Sequence, residues 1–88
     1  MKTIWKFQVP IKDGIIKILM PKNAEIVHVE SQDNQPCLWV LVDSENLQEI
    51  RQFRVYGTGH ALIFGDTYVG TVAIQTCFRL VWHIFEIK

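Results

Sequence analysis

Two cysteines, Cys37 and Cys77, are all that 88 residues contain, too few for the disulfide framework that staples many small secreted domains. Charge of either sign is not in excess: nine Lys+Arg balance nine Asp+Glu. That balance argues against a nucleic-acid polymer as partner and against electrostatic binding to membranes. No apolar run approaches the roughly 18 residues that a spanning helix requires. The opening Met1-Lys2-Thr3-Ile4-Trp5-Lys6 has no apolar core of the signal-peptide kind, so a reduced, cytoplasmic setting is expected. Internal repeats, low-complexity tracts and convincing helices are also missing. What is present is 49% hydrophobic and 20% charged, a globular composition, in a length that suits one domain over residues 1–88.

Strand patterns fill the chain. From Thr3 to Val9, Trp5, Phe7 and Val9 share one face and Lys6 and Gln8 the other, the period of two expected of a half-buried strand. Pro10 ends it and Lys12-Asp13-Gly14 supplies a turn, so Gly14 to Met20, with Ile16, Ile18 and Met20 inward and Lys17 outward, is expected to return as a hairpin. Ala24 to Ser31 resumes with Val27 and Val29 inward and His28 and Glu30 outward. Gln32 to Pro36 is polar and turn-rich. Cys37 to Val42 is apolar at every position, which predicts a strand covered on both faces at the centre of the sheet. Asp43 to Glu49 is acidic and loop-like, with Ser44 a candidate cap but too few residues for a predicted helix.

Ile50 to Gly57 follows, with Phe53 and Val55 inward and Arg51, Gln52 and Arg54 outward. Thr67 to Ile74 carries Gly70 as a bulge or a close backbone approach. The last strand runs from Cys77 or Phe78 to Ile87, alternating Leu80, Trp82 and Ile84 against Val81, His83 and Phe85. The expected fold is therefore all-β: a small single-domain sandwich or partly open barrel of about seven strands. A domain this small buries only about 60–65% of its unfolded surface. Two strands apolar on both faces exceed what such a core hides, so a homo-oligomer, most simply a dimer, is expected.

The most distinctive stretch is Arg54-Val55-Tyr56-Gly57-Thr58-Gly59-His60. Glycines two apart at a strand end let backbone N–H groups approach a ligand, and with the Thr58 hydroxyl they can bind phosphate or carboxylate oxygens. Arg54 adds a planar, bidentate cation, while Tyr56 and His60 are able to stack on a base. The alternative is a plain glycine turn joining two strands with His60 at its edge. A dinucleotide fingerprint is excluded, because its third glycine and its helix are missing.

His28, His60 and His83 are scattered and no HxH or CxxC spacing occurs, so no metal site is expected. Cys37 and Cys77 are expected in apolar surroundings that dull a thiol. Ser31 and Ser44 lack an activating pattern, and Asp33, Asp43, Glu45, Glu49 and Asp66 sit in turns and loops. No enzymatic activity and no cofactor are expected. Trp5, Phe7, Phe53 and Phe85 fall on inward phases, whereas Trp39 and Trp82 are the aromatics best placed to line a pocket or a subunit interface.

Lys2-Thr3-Ile4-Trp5-Lys6, Met20 to Ile26, Gln35-Pro36-Cys37-Leu38-Trp39, Phe53 to His60, Tyr68-Val69-Gly70-Thr71 and Val81 to Glu86 together resemble a family of small phage- and prophage-borne proteins filed as a domain of unknown function. The resemblance covers nearly the whole chain and is most specific at Tyr56 to His60. It implies a phage accessory acting in the host cytoplasm. By analogy with oligomeric phage sponges, it suggests a non-catalytic counter-defence binder of a nucleotide immune signal, of the cyclic nucleotide or cyclic ADP-ribose type. In that reading Gly57, Thr58 and Gly59 meet phosphate, Arg54 pairs with its charge, and Tyr56, His60 or Trp39 stacks on the base. The alternative is a protein–protein module that inhibits a host protein or aids phage assembly.

Overall fold

The computed structural model describes residues 1–63 and 65–88. Seven strands follow in chain order: β1 (Lys2–Gln8), β2 (Ile16–Pro21), β3 (Glu25–Gln32), β4 (Gln35–Asp43), β5 (Gln48–Gly57), β6 (Thr67–Gln75) and β7 (Arg79–Glu86). They form two antiparallel sheets, ordered β1-β4-β3 and β2-β5-β7-β6, and no helix occurs among the described residues. The expected all-β fold of seven strands is what the chain builds.

Alternation explains which faces meet. Leu38, Val40 and Val42 of β4 are at most 1% exposed, as are Met20, Phe53 and Ile84 from the other sheet. With Val9, Ile16, Ile18 and Ala24 they make the core between the sheets. The β3–β4 connection is a tight hairpin whose two turn residues, Asp33 and Asn34, both take positive φ (52° and 60°). Asx residues tolerate that conformation, and it matches the twist of the flanking strands.

The expected β1–β2 hairpin does not form. β1 pairs with β4 from Lys2↔Asp43 to Gln8↔Cys37, and the ladder is extended when the Val9 amide donates to Pro36 O at 2.9 Å. β2 instead pairs with β5. Gly14 does turn the chain, at φ 83°, but the segment it serves passes from one sheet to the other. Val9, fully buried, is set into the core just before that passage. Sandwich formation buries both apolar faces, which a local hairpin would have left side by side in one sheet.

Two inward or outward expectations, in β3 and β5, change as well. Val27 is 47% exposed rather than inward, because the β3 register shifts between Ile26 and His28. That bulge puts Ile26 and Val29, not Val27, against the core. Arg51 is not outward. It shares the inner phase with its cross-strand partner Ile18 and lies at the sandwich rim, where Nε and Nη2 donate to the Glu86 carboxylate at 2.6 and 2.7 Å and Nη1 donates to Ala24 O at 2.6 Å. This fork-on-fork contact raises the Arg51 pKa above its ordinary value, against the opposing effect of burial.

β4 is the centre of its three-stranded sheet, as expected, but it is not covered on both faces. Leu41 is 36% exposed and Trp39 only half-buried. β7 is likewise interior to its sheet while Leu80 stays 43% exposed. Cys77, expected in apolar surroundings, is exposed. Gly70 meets both of its readings. The β6 register shifts between Tyr68 and Gly70, and a Cβ at Gly70 would lie 2.8 Å from Val29 Cγ2. Glycine there lets β6 close against β3 of the opposite sheet.

Candidate functional site

β5 ends at Gly57, and the chain turns at once. The Gly57 amide donates to His60 Nδ1 at 3.1 Å, and the His60 amide donates to Gly57 O at 3.1 Å. Two glycines make this possible. A Cβ on Gly57 would lie 2.9 Å from His60 Cε1, and Gly59 takes φ 90°, a conformation side chains disfavour. With Nδ1 accepting from the Gly57 amide, the ring proton of the imidazole sits on Nε2.

Strands β6 and β7 bring further groups to the turn. Thr58 Oγ1 contacts His83 Nε2 at 2.8 Å, His83 Nδ1 contacts Thr71 Oγ1 at 3.0 Å, and Thr71 Oγ1 contacts Tyr68 OH at 2.7 Å. His83 is thus satisfied on both ring nitrogens, and no metal-binding cluster is found among the described residues. Phe85, expected inward, lies on the outer face, since its partners in the ladders are Arg54 and Tyr68. It packs edge-on to Tyr56 and Tyr68, each with ring centroids 5.5 Å away. The inner phase of β7 belongs to Ile84, which is fully buried.

A cavity of about 240 Å³ opens here, lined by Gly57, Thr58, Gly59, His60, Leu62, Tyr68, His83 and Phe85. Its walls combine aromatic rings, two hydroxyls and two imidazoles, a set able to stack on a planar ring and donate hydrogen bonds to oxygens. A second cavity of about 430 Å³ adjoins it, sharing Gly57, Thr58 and His60 and adding Arg79, Leu80, Val81 and Trp82. A third, of about 310 Å³, lies elsewhere among Lys2, Asn23, Glu25, Leu41, Val42, Asp43 and Asn46. It has no aromatic wall, and Asp43 is already engaged by the Met1 amine at 3.2 Å and the Glu45 amide at 3.1 Å.

Of the residues predicted to bind a ligand, Gly57, Thr58, Gly59 and His60 are brought together at the cavity. Arg54 and Tyr56 lie beside it but do not line it. Arg54 Nη1 donates to Asp66 Oδ2 at 2.9 Å. The Tyr56 hydroxyl donates to the same carboxylate at 3.3 Å and accepts from the Ile63 amide at 3.3 Å. The two side chains therefore fasten the segment that carries Leu62 and Ile63 over the sheet. Trp39 is on the outer phase of the other sheet, tilted against His28 at 5.5 Å, and one copy of the chain does not bring it to the turn.

Sequence reasoning missed Tyr68, Phe85 and His83 as neighbours of the turn, and also Arg79. Alternation does group His83 with Phe85 on one face of β7. Their meeting with Gly57–His60 depends on β7 lying between β5 and β6, which no local pattern encodes.

The chain belongs to the family described as Domain of unknown function (DUF7352), which it matches over residues 1–88. No curated protein and no solved structure matches it.

Proposed function

We propose that this DUF7352 member is a non-catalytic binding protein that captures a phosphate-bearing nucleotide at the Gly57–His60 turn. The observation that carries the reading is the cavity of about 240 Å³ in which that turn faces Tyr68, His83 and Phe85. A purine or pyrimidine ring fits an aromatic wall of this kind, and the Thr58 and Gly59 amides, the Thr58 hydroxyl and His60 Nε2–H are donors of the sort that oxyanions accept. Arg54 contributes indirectly, through Asp66, by holding the Leu62 wall in place. The resemblance to phage- and prophage-borne proteins extends the proposal to biology: sequestration of a cyclic nucleotide or cyclic ADP-ribose type of immune signal in the host cytoplasm, by a homo-oligomer. Capture needs affinity and no bond breaking.

Native mass spectrometry with a panel of cyclic nucleotides and ADP-ribose derivatives tests it. The expected result is an oligomer that gains the mass of one nucleotide per site and releases it unchanged on denaturation, with uptake lost in His60→Ala and Phe85→Ala. A folded oligomer that takes up nothing from the panel would sink the reading.

One observation favours a protein–protein module instead. Leu19 and Ile50 face each other across the β2–β5 ladder, are 57% and 59% exposed, and lie beside the open edge of β2. Such an apolar pair next to unpaired backbone suits a protein partner. Loss of a specific captured partner in Leu19→Lys/Ile50→Lys, with nucleotide uptake absent in the wild type, would select this reading.

A further inference from the structure

Volume and charge both direct attention past the first cavity. Alone, its 240 Å³ falls below the roughly 300–1,000 Å³ usual for small-molecule sites, whereas the adjoining 430 Å³ space brings the pair within that range. The two cavities share Gly57, Thr58 and His60, so one ligand is able to lie across the turn. Their chemistry differs: the smaller has Tyr68 and Phe85, the larger has Arg79 and Trp82.

Nine carboxylates balance the cations over the whole chain, yet none lines either cavity among the described residues. Arg54 and Arg51 are spent on Asp66 and Glu86. Arg79, by contrast, takes no ion-pair partner among the described residues and is exposed at the start of β7. Beside it, Trp82 Nε1–H is buried with no hydrogen-bond partner among the described residues, which is uncommon for a buried donor.

We infer that Arg79 is the anion-binding residue of this site, holding the phosphate end of a ligand on the Trp82 side of the turn while the ring end rests on Phe85 and Tyr68. The inference rests on the ligand-capture reading and adds to it a polarity and a residue. A guanidinium with no competing carboxylate gives phosphate two parallel N–H donors, with Thr58 completing the contact.

Amide and arginine side-chain NMR spectra test this with pyrophosphate, adenosine and ADP as separate probes. Pyrophosphate is expected to move the Arg79 Nε–Hε and Thr58 amide signals, adenosine the Tyr68 and Phe85 ring signals, and ADP both sets. Arg79→Gln is expected to abolish the pyrophosphate response and weaken ADP about tenfold or more, leaving adenosine unchanged. Arg79→Lys restores part of the loss. ADP binding that is equal in wild type and Arg79→Gln would overturn the role of Arg79 and leave nucleotide capture standing. A pyrophosphate response at Arg79 without adenosine or ADP binding would keep the anion site and overturn nucleotide capture. Silence with all three probes overturns both.

Discussion

Arg54 and Asp66 meet at 2.9 Å on the outer face of the four-stranded sheet, and the Asp66 side chain is only 5% exposed. Tyr56 OH joins the same carboxylate and also receives the Ile63 amide. An arginine that reads in sequence as a ligand contact is thus an anchor for the wall of the cavity. Removing one partner strands a charge away from water, which costs more than the pair itself contributes. Asp66→Ala is expected to destabilise the fold by about 2–4 kcal/mol, below the range for fully buried pairs because Arg54 keeps some exposure. Chemical denaturation of both single variants and the double variant checks this, since the double should cost clearly less than the sum.

The Gly70 contact predicts a steric cost with a matched remedy. Gly70→Ala puts a methyl 2.8 Å from Val29 Cγ2, so the two sheets must part or Val29 must move. A loss of about 1–3 kcal/mol is expected, as for overpacked cores. In the double variant with Val29→Gly, which removes both the Cγ2 at 2.8 Å and the Cβ at 2.9 Å, the total loss should be clearly less than the sum of the two single-variant losses, read again from denaturation midpoints. Simple additivity would mean that the close approach carries no strain.

His83 bridges Thr58 and Thr71, tying the turn to β6. His83→Ala should cost about 1 kcal/mol, the usual net worth of such hydrogen bonds at a partly exposed site. Its sharper signature is local: amide exchange at Thr58 to His60 should speed up while the core strands keep their protection. Unchanged exchange in the turn would show that His83 does not hold it.

Asp43 supplies a pH dependence. The Glu45 amide, and then the Met1 amine, hold its carboxyl below the ordinary 3.8. A carboxylate whose folded pKa is depressed stabilises fully above its unfolded value, and that contribution is lost as pH falls through the folded value. Wild-type melting temperature should therefore fall more steeply than that of Asp43→Asn below about pH 4, with the two converging in the acid limit. Parallel curves across that range would contradict the assignment.

Much of the architecture could be read residue by residue. Apolar patterning locates all seven strands: by alternation where a half-buried strand must place apolar groups on one face whatever its neighbour is, and by an unbroken apolar run in β4. Gly14 and Gly59 were turn signals for the same local reason, a positive φ that other residues resist. The Gly57–His60 turn needs its two glycines for different reasons: Gly57 admits the His60 ring, and Gly59 takes a positive φ. Where local reading failed, a distant partner decided. Val27 turns outward through a bulge in its ladder with β4, whereas Arg51 shares the inner phase of Phe53 and its charge is accommodated there by Glu86 and the Ala24 carbonyl.

Local sequence pattern dictates a seven-strand, all-β chain with a thin apolar core and a glycine turn rich in hydrogen-bonding groups. Those properties follow from backbone preference and alternation, which act over a few residues. Tertiary structure alone decided that β1 pairs with β4 rather than β2, that Arg54 serves Asp66, and that Tyr68, His83, Phe85 and Arg79 gather around Gly57–His60. Strand partners are chosen by the total apolar surface buried and the cost of closing long loops, quantities that belong to the whole chain and to no segment of it.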